Sequence, residues 1–143
     1  MTYKQIVDNF EQIANDHQMI ADFGYGQLTD IKNQGDDSEA DYPYMFLNPT
    51  THTRTERTIV YRFNLIMMEM ANSETALQTQ SDCQQYIDDV LAELKYDATR
   101  ETDITINVTL TPFKERFQDV VAGMTATIEI EVPSALNNCI TPY

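Results

Sequence analysis

The sequence predicts an α+β domain: an antiparallel-rich mixed sheet with two helices packed on one face and a long projecting strand or hairpin. Three observations carry this prediction. Two segments, one at the N-terminus and one following residue 73, place apolar residues every three or four positions, the spacing of a helix face. Three further segments alternate apolar and polar residues with the period of a half-buried strand. The last two of these follow one another closely, as the arms of an antiparallel hairpin with one buried face do.

The first helix has its own start signal. Thr2 followed three residues later by Gln5 forms a Thr-x-x-Gln capping box. Ile6, Phe10, Ile13 and His17 then share one face, widened by Val7 and Ala14, while Asp8, Glu11, Asn15 and Asp16 take the wet side. The helix is expected to end near Gln18, ahead of Gly24 and Gly26. Phe23 to Ile31 reads as a weak strand, and Asn33 to Asp41 as a polar, acidic loop. Tyr42 to Leu47 reads as a short strand with Pro43 at its entrance, closed by a turn at Asn48-Pro49-Thr50.

The clearest strand follows. Ile59, Tyr61, Phe63, Leu65 and Met67 alternate with Thr58, Val60, Arg62, Asn64 and Ile66. At about 3.3 Å per residue, Thr55 to Met70 extends roughly 50 Å, more than a small domain's sheet requires. Part of it is therefore expected to project as a hairpin arm or to pair with another chain. Ser73 is the expected cap of the second helix, with Glu74 in its first turn and Lys95 near its end complementing the dipole. Cys83, Ile87, Val90, Leu91 and Leu94, joined by Tyr86, form its inner stripe. Ile104, Ile106, Val108 and Leu110 mark one late strand. Met124, Ala126, Ile128, Ile130 and Val132 mark the other, after a connection from Pro112 through Gly123. Residues 1–132 thus read as a single domain and 133–143 as an extended C-terminal tail without periodicity.

Composition bounds the function. The chain has 143 residues, 23 Asp+Glu against 9 Lys+Arg, and a formal net charge of −14. A domain of this size buries roughly 68–70% of its unfolded surface, enough for one core. The acidity argues against phosphate binding by the bulk surface, because cations supply most affinity for nucleic acid. No apolar run approaches the ~20 residues of a membrane span, and Met1-Thr2-Tyr3-Lys4-Gln5 does not open a signal peptide. Two cysteines, Cys83 and Cys139, are too few for a disulfide or metal framework.

Catalytic chemistry finds little to stand on. His17 reads as a packed histidine on its helix stripe, and His52 lies in a Thr-rich turn with no ligand spacing around it. No cluster offers the three or four ligands that zinc takes, and Cys83 reads as a small core hydrophobe. Asp36, Asp37, Glu39 and Asp41 lack the spacing of a calcium loop, since Gly35 precedes the acids instead of sitting among them. Gly24-Tyr25-Gly26 lacks the Lys and Ser/Thr of a phosphate loop. Hence no catalytic, cofactor-binding or metal residue is assigned, and no enzyme activity is expected. Arg54, Arg57 and Arg62 form the one local positive cluster. It is either a strand with exposed arginines or an interface for an acidic partner.

The order of elements resembles the tail-terminator and tail-completion (neck ring) proteins of double-stranded DNA bacteriophages. Four pieces carry the resemblance across Thr2 to Val132. These are the amphipathic N-terminal helix with its weak strand and the acidic run Glu39-Ala40-Asp41-Tyr42-Pro43, and the short strand Tyr44-Met45-Phe46-Leu47. The long strand Arg57 to Leu65 before an acidic helix, and the final Thr127-Ile128-Glu129-Ile130-Glu131-Val132 strand, complete the set. The resemblance implies a structural virion protein of the tail or neck, assembled in the host cytoplasm. Such a protein forms a homo-oligomeric ring, a hexamer or, next to a portal, a dodecamer. It contacts other neck or tail proteins, lets DNA pass without specific binding, and uses neither cofactor nor membrane. Residues 133–143 depart from the pattern, so Leu136, Ile140 and Tyr143 join Arg54, Arg57 and Arg62 as the candidate interface. The alternative reading is an acidic DNA-mimic inhibitor. The charge favours it, but Glu129 and Glu131 alternate on a strand and Asp36 to Asp41 lie in a loop, unlike a phosphate row on one face.

Overall fold

The computed structural model describes residues 2–31, 41–72, 74–96, 104–116 and 120–136. Helix α1 spans Tyr3–Asp16 and opens on the predicted box: Thr2 accepts from the Gln5 amide, and the Gln5 side chain accepts from the Thr2 amide at 2.8 Å. It stops at Asp16, with His17 in extended conformation as its C-cap. Strand β1, Asp22–Tyr25, is shorter than expected. Gly26, at φ +143°, takes the chain out of the strand and into a 3-10 turn over Leu28–Asp30.

Strand β2, Tyr44–Arg54, corrects the expected turn at Asn48-Pro49-Thr50. The chain stays extended through Pro49, and the ladder to β3 slips between Pro49 and His52 instead. Proline is tolerated there for two reasons. It sits at the slip, and β1, paired parallel with Tyr44 to Leu47, no longer flanks β2 at that point. Strand β3, Thr58–Met70, carries the predicted alternation. Its length does not outrun the sheet, because β5, Val120–Pro133, pairs with it from Thr58↔Pro133 to Met70↔Val121. What stands out is the tip of the β2–β3 hairpin, where Arg54 to Arg57 are all exposed.

Helix α2 spans Ala76–Tyr96. Its leading turn is held by Asn72, whose side-chain oxygen accepts from the Glu74 and Thr75 amides at 2.9 and 3.0 Å. Ser73, the expected cap, lies outside the described residues. Strands β4, Thr105–Arg116, and β5 pair antiparallel and run through Pro112 and Gly123, both expected in a connection. Pro112 fits because β4 is an edge strand of the sheet, whose order is β1-β2-β3-β5-β4.

Both helices cover one face of this sheet, as the α+β reading requires. Ile6, Phe10 and Ile13 of α1 and Cys83, Ile87, Val90 and Leu94 of α2 meet Phe63, Leu65 and Met67 of β3 and Ala126, Ile128 and Ile130 of β5. The opposite face is not wholly wet. Tyr44, Phe46, Met68, Val121 and Ile31 form a second buried cluster there, which explains why Tyr44 to Asn48 are buried without alternation.

Candidate interface at the hairpin end of the sheet

The β2–β3 turn is built from two threonines. The Thr55 amide donates to the Thr58 carbonyl at 2.9 Å, and the Thr58 amide donates to Thr55 Oγ1 at 3.1 Å. The chain leaving β5 then returns to this turn. Ser134 donates its amide to the Arg57 carbonyl at 2.8 Å, and Leu136 donates to the Glu56 carbonyl at 2.9 Å. The first residues of the expected tail therefore belong to the hairpin end, and the Leu136 side chain is 63% exposed there. Ile140 and Tyr143 lie outside the described residues.

The structure divides the arginine triplet. Arg54 and Arg57 are exposed at the tip, and among the described residues neither makes an ion pair. Arg54 pairs across the ladder with Ile59, whose side chain packs on the helix-side core. Arg62 pairs with Glu129 and leaves the sheet on the other side. Its Nε donates to Glu129 Oε1 at 3.2 Å and its Nη1 to Thr53 Oγ1 at 2.6 Å, so its charge is already matched within the chain. Arg54, Arg57 and Leu136 are thus brought together, and Arg62 is set apart as a cross-strand brace.

Behind the tip stands an aromatic group that periodicity did not bring out. The Tyr3 ring meets His52 edge-on at 4.7 Å, and His52 lies 5.1 Å from Tyr61 and 5.9 Å from Phe63. His52 Nδ1 accepts from the Arg62 amide at 3.4 Å, so it lies in a strand and not in a turn. Burial, and then the Arg62 charge, hold its imidazole below the ordinary value of 6.5. The Tyr3 and Tyr25 hydroxyls bond to each other, and burial pushes the Tyr3 phenol up to about 12. One signal for this group was present in the sequence: Tyr3 precedes Ile6 by three positions and Phe10 by seven, continuing the α1 stripe by one turn.

His17, Cys83 and Asp41 have structural roles. His17 Nδ1 accepts from the Met19 amide at 3.1 Å, which leaves the proton on Nε2, 2.9 Å from Asp89 Oδ2. Its ring also meets Tyr86 edge-on, so it pins the end of α1 to α2. Cys83 is fully buried, and burial pushes its thiol up to about 12, so it sits in the core without a thiolate. Asp36, Asp37 and Glu39 lie outside the described residues, whereas Asp41 is exposed and donates its amide to Asp22 Oδ2 at 3.2 Å. A Cβ on Gly24 would stand 2.5 Å from the Tyr44 hydroxyl, which gives that glycine a packing role. Among the described residues no group of three or more His, Cys, Asp or Glu is placed to hold a metal ion.

Fold and surface together define an α+β protein of two helices on a five-stranded mixed sheet, with a charge-bearing hairpin end. No protein-family model and no characterised relative matches the chain. No helix among the described residues is long and apolar enough to cross a membrane.

Proposed function

We propose that this protein is a structural virion component that forms a ring at the head–tail junction, joining portal or head to tail and letting DNA pass. The observation that carries the reading is a division of charge. Arg54 and Arg57 flank Glu56 on the exposed hairpin tip, which is net positive, while Glu11 and Asp16 of α1 and Asp88, Asp89 and Glu93 of α2 stand exposed on the helix layer, where Lys4 offsets only Asp8. Set head to tail, the cations of one copy meet the acids of the next. Charge complementarity of this kind fixes register and suppresses wrong partners more than it adds affinity. A head-to-tail contact repeated by rotation closes into a ring when the angle permits. Six copies, or twelve beside a portal, complete it.

The rest of the surface supports the same reading. An excess of exposed carboxylates, in a chain of net charge −14, keeps DNA phosphates in transit and unbound. Leu136, bonded to Glu56 at the tip, offers an apolar contact to the neighbouring copy or to an adjoining neck or tail protein, and Ile140 and Tyr143 extend it in sequence. The site of action is the virion tail or neck, reached after assembly in the host cytoplasm. Electron microscopy of the purified protein at high concentration tests this. Closed rings with a central passage are expected, and compact particles without a passage, alone or added to tails, would overturn the reading.

A further inference from the structure

The two edges of the sheet are unequal. The β1 edge is four residues long, whereas β4 presents twelve, and among the described residues nothing hydrogen-bonds its outer side between Thr105 and Thr111. Long edges are ordinarily blunted by charge, proline or a bulge. This one is bare: Ile104 to Phe113 holds no charged residue, and Pro112 stands only at the far end of the stretch. Beside it runs a groove of about 270 Å3 between β4 and the end of α2, lined by Leu91, Ala92, Lys95, Tyr96, Ile106 and Val108. Tyr96 is 78% exposed at its rim.

We propose that this edge pairs antiparallel with the same edge of a second copy, about a two-fold axis through Val108. The sequence of the edge singles out that occupant, because it is complementary to itself. Centred on Val108, the register opposes Ile106 to Leu110 on the helix side, and Thr105 to Thr111 and Asn107 to Thr109 on the open side. Apolar residues meet apolar ones, Thr105 meets Thr111 and Asn107 meets Thr109, and good cross-strand pairs each stabilise by roughly 0.2–1 kcal/mol relative to alanine. Electrostatics selects the same place. In a chain of net charge −14, two copies approach at least cost along a strand that carries no charge. The two sheets then run on as one, both helix layers lie on the same side, and Leu110 of the partner subunit covers the groove beside Ile106.

This contact does not rest on the ring reading. A two-fold pair closes with two copies, whereas the ring requires a head-to-tail contact at the hairpin end. Light scattering coupled to size exclusion, over a concentration series, separates the possibilities with two variants. Asn107 and Thr109 are exposed, so substitution there spares the fold, which a circular-dichroism melt verifies. Asn107→Lys with Thr109→Lys opposes like charges twice across the pair and is expected to halve the mass of the wild-type particle, by removing the two-fold contact alone. Asn107→Lys with Thr109→Glu opposes an ammonium to a carboxylate twice and is expected to keep the pair. A wild type that is monomeric throughout, a pair that survives the double lysine variant, or loss of pairing in both variants would each overturn the proposal. Amide exchange gives a second reading: protection over Thr105 to Thr111 rises with protein concentration, and concentration-independent exchange contradicts it.

Discussion

Gly123 of β5 passes so close to Met67 of β3 that a Cβ on the glycine would stand 1.9 Å from the Met67 carbonyl oxygen. The obstacle is backbone, which has no rotamer to yield. Gly123 pairs with Met68 and Phe113, in the middle of three strands, so the approach fixes how tightly β3 and β5 close at this end. Gly123→Ala is expected to destabilise the fold by about 1–3 kcal/mol through overpacking. Urea unfolding measures this, and an unchanged midpoint would mean the strands separate at no cost.

Two groups at the aromatic cluster set opposite limits on pH stability. His52 is held below 6.5, so on acidification the unfolded chain takes up its proton first. Stability therefore falls as pH drops below about 6.5 toward the lowered value, and His52→Gln flattens that part of the profile. Tyr3, raised from 10.0 to about 12, behaves in the other sense. The folded state holds its proton longer, so its contribution is complete below pH 10 and is lost as pH rises through about 12. Tyr3→Phe removes this alkaline loss. Denaturant midpoints across pH 5–12 read both effects.

Cys83 is expected to be chemically silent in the native state. Burial holds its thiol up at about 12, leaving little thiolate and no access. In a Cys139→Ser background, an aromatic disulfide reagent is expected to react only as fast as the protein unfolds. Prompt reaction in native buffer would show that α2 lifts from the sheet.

Much of the fold was legible because local signals and tertiary packing agree. Thr2 and Gln5 cap α1 as their spacing predicts, and Met124 to Val132 alternate into the core along β5. The misses fall where tertiary context overrides a local rule. Pro49 reads as a turn, yet a register slip and the end of β1 make room for it in β2. Pro112 reads as a breaker, yet it stands on an edge, and Gly123 reads as a loop residue, yet it marks the closest strand approach. At the candidate interface, the sequence joined Arg54, Arg57 and Arg62 by proximity along the chain. The pleat and the register separate them, sending Arg62 to Glu129. The return of Ser134 and Leu136 to the hairpin turn is a long-range backbone contact with no sequence signature.

The hairpin end is expected to govern assembly and not stability. Arg54→Glu with Arg57→Glu removes two exposed cations that no described residue pairs, so the melting temperature is expected to move by about 2–4 °C at most, as two surface substitutions each within ±0.5 kcal/mol do. Native mass spectrometry of the wild type and this variant tests the ring most directly. A six- or twelve-fold mass is expected for the wild type and is lost in the variant, with the variant still folded. A wild type that never exceeds a pair, or a ring mass unchanged by the two reversals, would contradict the ring reading.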